Sequence, residues 1–432
     1  MMLFRALRQF CSSRLNSYFF VCAKLNPKSE IRKPKQNRNF ECDKSETASG
    51  RGMGFRQLFT VFPSLRFVSD FEIRISDLPR RFHGFSSRFG CGVLASLLFA
   101  SACYGAGAGL GQENVTVDEK TAAVLKGTLK YLASEQQANG SWTEHGEKYV
   151  TAMTGYTLLA FMATGNLPGE GEYGKVVANG ARYLADSVQA DGSYETHRTG
   201  QYMYGHGVAT IALAELYGQT KSAEFRVKLE KAVKIILGSQ NAQGGWRYNP
   251  RVGDADISVT VLQVVALRAA KNGGIDVPQE SIDRAVAYVQ NCYDDGSGGF
   301  CYQPRQHAPG FARTAAAIYS LQVCGRYDDP KVAAGAEYLQ RETRIPGSRH
   351  KSEWFAYGHF YAAPAMYMIG GETWEKWYSN IKRVLLETVK RKDDTAYWDK
   401  DLDPRAPGPV YVTAVFTTVL SMPYHYMPLY QR

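Results

Sequence analysis

Cysteine is scarce where a fold would use it. Of eight in 432 residues, five lie at or before position 103, leaving Cys292, Cys301 and Cys324 for the rest of the chain. At most one disulfide can form among three thiols. Cys292 and Cys301, which flank a Gly-rich turn, are the expected pair, with three buried free thiols as the alternative. Long apolar runs are missing too. Cys91 to Ala102 is only 12 residues, short of the about 20 that cross a bilayer. The chain carries a formal charge of +10, but residues 109–432 hold 34 basic and 34 acidic side chains, so the excess belongs to the first 108 residues. That neutrality, with no phosphate-binding stripe, argues against a nucleic-acid partner.

Three pieces of a secretory signal stand together at 81–108: the basic Arg80, Arg81 and Arg88, the short apolar run, and the small-x-small triplet Ala100, Ser101, Ala102. Residues 1–80 are basic and aperiodic, and are expected to be a disordered or mis-assigned leader. The mature protein is therefore expected outside the cytoplasm, periplasmic or secreted. Lipid anchoring at Cys103 is not expected, because Leu is absent three residues before it.

From Thr121 the chain repeats. Tyr131-Leu132, Tyr183-Leu184, Ile235-Ile236, Tyr288-Val289 and Tyr338-Leu339 are spaced by 52, 52, 53 and 50 residues. Gly-rich turns closed by an aromatic follow four of them, at Gly140/Trp142, Gly192/Tyr194, Gly244/Trp246 and Gly298/Phe300. Each unit reads as an amphipathic helix, a turn, and a helix apolar on all sides that must be buried on all sides. The six inner helices are expected at Met153–Met162, Val208–Tyr217, Ser258–Ala270, Thr314–Val323, Phe360–Ile369 and Val412–Leu420. The predicted architecture is all-α, a single (α/α)6 toroid over 115–432 whose closure removes exposed ends.

The run Tyr131-Leu132, Gln136, Gly140, Trp142 resembles the QW repeat of squalene cyclases and protein prenyltransferase β-subunits. Gln240, Gly244 and Trp246 repeat the match, while the second unit has Val188 and Tyr194 at the Gln and Trp positions. The resemblance covers about 310 residues and implies the toroid. In that fold the inner helices aim their N-termini at one end of a central cavity. This makes Tyr204, His206, Asp254, Asp256, Arg313, Tyr357, His359, Tyr361 and Tyr411 the candidate site.

Asp254-Ala-Asp256-Ile-Ser258 falls where a squalene cyclase carries Asp-x-Asp-Asp-Thr, which implies Asp256 as a proton donor supported by Asp254, with the tyrosines lining an isoprenoid cavity. Ile257 replaces one acid, and the chain has residues for one barrel where the cyclases use two. The alternative for either Asp is a helix cap, worth about 1 kcal/mol. The prenyltransferase zinc pattern, Asp-x-Cys with a distant His, is absent; Asp256, Cys301 and His359 are the remaining combination, and no metal or other cofactor is expected. A glycosidase would need two opposed carboxylates, for which Asp256 with Glu144 or Glu353 is the formal possibility. Two functions are thus expected: a terpene-cyclase-like enzyme or binder of an isoprenoid or other apolar small molecule, or a non-catalytic scaffold for a protein or envelope polymer, with a homodimer or a protein partner as the expected assembly. The tail from Tyr411 to Tyr430 is read as packed on the ring, or as an aromatic lid over the cavity.

Overall fold

In the computed structural model the residues described are 115–144, 149–194, 202–342 and 354–430. The expected leader, signal segment and Cys103 lie outside them.

Twelve helices stand among the described residues. The outer ones are α1 (Glu119–Ser134), α3 (Gly174–Asp186), α5 (Ala223–Ser239), α7 (Gln279–Asn291), α9 (Pro330–Glu342) and α11 (Gly371–Thr388). The inner ones are α2 (Val150–Ala163), α4 (Tyr202–Thr220), α6 (Ile257–Gly273), α8 (Phe311–Val323), α10 (Phe355–Ile369) and α12 (Pro409–Ser421). All 14 residues of α2 are buried, as an inner helix requires, whereas α3 buries one stripe built on Val177, Ala181 and Leu184. Each inner helix packs on the next, and α12 returns to α2, so the ring closes. This is the (α/α)6 toroid expected from the repeat.

The repeat's glutamines and tryptophans explain how the pairs are joined. The Gln136 side-chain amide donates to Gly140 O in its own turn (3.0 Å) and to Val176 O on α3 (2.8 Å). Gln240 does the same with Gly244 O and Ser281 O on α7, both at 2.8 Å. Each stitches one repeat to the next outer helix. The indoles of Trp142, Trp246 and Trp398 donate back to Leu132 O, Ile236 O and Leu385 O. A threonine on the following inner helix then accepts the aromatic's backbone N–H: Thr154, Thr260, Thr314 and Thr413 serve Trp142, Trp246, Phe300 and Trp398. Gly244 sits at φ 92°, with the backbone carbonyl of Arg284 where a Cβ would be, so no other residue fits.

Three sequence expectations change. Inner helices start earlier than their apolar runs: α10 begins at Phe355, five residues before Phe360, because aromatic and polar residues already form its buried first turn. The first helix of the sixth pair, expected from the sequence to end near Trp398, stops at Thr388, and a hairpin of β3 (Lys390–Lys392) and β4 (Thr395–Tyr397) carries the chain to Trp398. Cys292 and Cys301 are buried free thiols beside a second hairpin, β1 (Tyr293–Asp294) with β2 (Gly299–Phe300), and are not a disulfide; burial pushes the Cys292 thiol up to about 12.

The C-terminal tail follows α12 as two 3-10 turns, Met422–Tyr424 and Pro428–Tyr430, the second touching α4, α6 and α10. It lies at the C-terminal ends of the inner helices and is no lid on the cavity described next.

Candidate functional site

The N-terminal ends of the inner helices surround a cavity of about 680 Å³. Among the candidates, Tyr204, His206, Arg313, Tyr357 and Tyr411 line it; Asp254, Asp256, His359 and Tyr361 do not. The depth of the ring is filled by aromatic edges. Tyr156 meets Phe360 and Tyr411 in T-shaped contacts at 5.1 and 5.0 Å, and Tyr361 meets Tyr357 at 4.9 Å. The hydroxyls of Tyr204, Tyr361 and Tyr411 gather around that of Tyr156, which is closed off from the cavity itself. Burial raises the Tyr204, Tyr357, Tyr361 and Tyr411 phenols well above their ordinary range, and neighbouring tyrosines raise them further, so all four are neutral.

Asp256 is placed where it caps. It is fully buried at the N-cap of α6. Its Oδ1 accepts from the Ser258 and Val259 backbone N–H groups (2.8 and 3.0 Å) and from Ser258 Oγ (2.5 Å). Its Oδ2 accepts from the Arg247 guanidinium at 2.8 Å, and the half-exposed Asp254 takes Arg247 Nε at 3.2 Å. Every hydrogen bond the Asp256 carboxylate makes is accepted and none is donated. Glu144 caps α12, its Oε1 accepting from Val410 N and Tyr411 N, which ties the first repeat to the last. Glu353 lies outside the described residues.

The two histidines differ. His206 Nε2 faces Ala232 O at 3.0 Å; a carbonyl only accepts, so Nε2 carries the proton and Nδ1 accepts from Tyr202 O–H at 2.8 Å. Tyr202 lines the cavity beside it, and burial pushes its phenol up to about 12. His359 instead donates from Nδ1 to Phe355 O and stacks between Phe355 and Trp377; burial lowers it to about 4, so it is a neutral packing residue. Cys301 sits in the β1/β2 hairpin region, and among the described residues no three His, Cys, Asp or Glu side chains gather as a metal site.

Several lining residues carry no signal in the linear pattern: Tyr156, Tyr202, Tyr302, Trp354, Asp403 and Arg405. Asp403 lies in the Pro/Gly loop before α12 and reaches across to α10, accepting from Trp354 N, Ala356 N and Arg405 N. Burial raises its carboxyl pKa against the pull of those amides. It is the single carboxylate in the described lining. Tyr149 and Trp354, the N-caps of α2 and α10, both line the cavity in left-handed conformations (φ 61° and 66°). Such strain costs about 1–3 kcal/mol and clusters at functional sites.

No family profile matches the sequence, and neither does any curated protein. Solved structures match the fold. The GH76A α-1,6-mannanase of Salegentibacter sp. HEL1_6 superposes with a TM-score of 0.54 at 7% identity, over 70% of this chain and 98% of that one. Cellobiose 2-epimerase from Bacillus thermoamylovorans B4167 gives 0.53 at 14% identity, over 71% and 98%. An unsaturated glucuronyl hydrolase specific for heparin gives 0.50 at 12%, over 70% and 95%. At these identities the shared property is the α/α-toroid. The terpene-cyclase and isoprenoid expectation is corrected by them, since the toroids it matches are described as acting on sugars. The cavity gives the physical reason: a hydrocarbon would desolvate polar lining groups such as Ser258 and Arg313 without bonding them. No described helix is long and apolar enough to cross a membrane.

Proposed function

We propose that this protein binds a carbohydrate in the toroid cavity and acts in sugar processing. The observation that carries the reading is the mixed character of the wall: Tyr204, Tyr357 and Tyr411 offer apolar stacking surface, and the polar side chains of Ser258, Arg313 and Arg405 stand among them. Sugars present both a C–H face and hydroxyls, so they satisfy such a wall where a purely apolar molecule strands its polar atoms. The volume falls within the range of small-molecule sites, and the similar toroids are described as carbohydrate enzymes.

Within this reading Tyr202 and His206 form the proton-handling pair, with Nδ1 of His206 positioned to take the Tyr202 hydroxyl proton as that oxygen accepts one from a ligand hydroxyl. Asp254 and Asp256 act on the site indirectly, by fixing Arg247 and the start of α6. The repeat unit itself is assigned to the QW type through Gln136, Trp142, Gln240 and Trp246, without the chemistry of the cyclases. An extracytoplasmic location, supported by the 81–108 segment, places the ring among envelope and extracellular glycans.

The test is titration of the full-length protein with a panel of neutral and acidic oligosaccharides by calorimetry. Binding by at least one sugar, weakened about tenfold in Tyr204→Ala with the fold intact, is expected. Absence of binding across the panel overturns the proposal.

A further inference from the structure

Two arginines near the cavity end are treated in opposite ways. Arg247 is neutralised twice, by Asp254 and Asp256, and sits over Tyr248 at 5.0 Å. Arg313, which lines the cavity in the first turn of α8, makes no ion pair among the described residues; its guanidinium lies over the Tyr302 ring at 5.8 Å and donates to the backbone carbonyl of Ala308. Arg405, also in the lining, lies over the Trp354 ring at 5.5 Å. Against these cations the described wall sets only Asp403, whose oxygens are taken by three backbone N–H groups.

The backbone adds to the same sign. Six helix N-termini surround the cavity, each the positive end of a helix dipole. Carboxylates answer three of them: Asp256 on α6, Asp403 on α10 and Glu144 on α12. The N-caps of α2 and α8, Tyr149 and Gly310, supply no side-chain acceptor. A guanidinium held against an aromatic face has already given up much of its freedom, so it can meet a planar or tetrahedral anion with paired N–H donors at little further cost.

From this we propose that the cavity selects an anionic saccharide, its carboxylate or sulfate group bound by Arg313 with Arg405 adding charge. The inference rests on the carbohydrate reading and narrows it. A neutral sugar would fit the aromatic wall but leave the Arg313 charge without a counter-ion.

The experiment compares the affinity of the full-length protein for three trisaccharides: mannotriose, trigalacturonate and a sulfated galactotriose, each at low and high salt. One of the two anionic sugars is expected to bind about tenfold or more tightly than mannotriose, with the advantage shrinking at high salt. Which of the two wins identifies carboxylate or sulfate as the recognised group. Arg313→Gln should abolish the preference, so that the variant binds the anionic sugars no more tightly than it binds mannotriose, and Arg313→Lys should restore part of it. Equal affinity for all three overturns the anionic inference and leaves the carbohydrate reading standing. Binding of none overturns both. A preference that survives Arg313→Gln removes the assignment to that residue.

Discussion

The same six inner helices end at both faces of the ring, and the two faces treat them differently. At the N-terminal face the chain leaves a cavity, lines it with tyrosines, and holds Tyr149 and Trp354 in left-handed N-caps beside it. At the C-terminal face the tail folds back under the ring, burying Met427 and Leu429. Glu215 on α4 is buried there, its carboxyl bonded by the backbone N–H of Leu429. Polar groups at the first face are left facing a space; at the second they are covered by the protein's own chain. The difference puts binding at the N-terminal face and structural closure at the other.

The comparison can be broken first at the repeat turn. Trp246 is 1% exposed and its indole is bonded, so Trp246→Ala is expected to cost about 4 kcal/mol in denaturant unfolding. A loss near zero would mean the turn aromatics are not what joins the pairs. Asp256→Ala comes next, at about 3 kcal/mol, because it leaves Arg247 with Asp254 alone and two α6 amides uncapped. Asp256→Asn that keeps full stability yet abolishes sugar binding would move Asp256 from the scaffold into the site.

The C-terminal face should respond in stability alone. Leu429→Ala is expected to cost about 2 kcal/mol with ligand affinity unchanged; a parallel loss of affinity would show the two faces to be coupled. The last effect is a pH slope. Burial raises the Glu215 carboxyl from 4.5 to about 8, so between those values the folded protein keeps a proton that the unfolded chain has released. Its contribution is fully present below about 4.5 and is lost as pH rises toward about 8, by at most about 1.4 kcal/mol per pH unit. Thermal melts of Glu215→Gln should show that slope flattened, and an unchanged profile would place the titration elsewhere.

The repeat was legible because its signals are local. Gln136, Gly140 and Trp142 sit within one turn, and each needs only its neighbours in sequence and the next helix to act, so spacing alone announces them. The site was half legible. Tyr204, His206, Arg313, Tyr357 and Tyr411 were found because they stand near the starts of apolar helices, and helix starts share one face of the ring. His359 and Tyr361 have the same position in sequence but point elsewhere, since neighbours in a helix are turned about 100° apart: His359 faces Trp377 on the outer helix, and Tyr361 packs against Tyr319 in the ring's depth.

Asp403 and Glu144 show what no local pattern contains. One caps a helix whose start lies 49 residues earlier, the other a helix whose start lies 266 residues later, and both pairings exist only once the ring has closed. The sequence by itself determined the periodicity, the burial of the inner helices and so the toroid, because helix hydrophobicity and turn chemistry act over a few residues. Tertiary structure decided which carboxylates are spent on caps, which arginine is left unneutralised and which face stays open. Those outcomes depend on groups from different repeats meeting across the ring, and the free energy of a buried charge or hydroxyl is set by the partners that surround it in space.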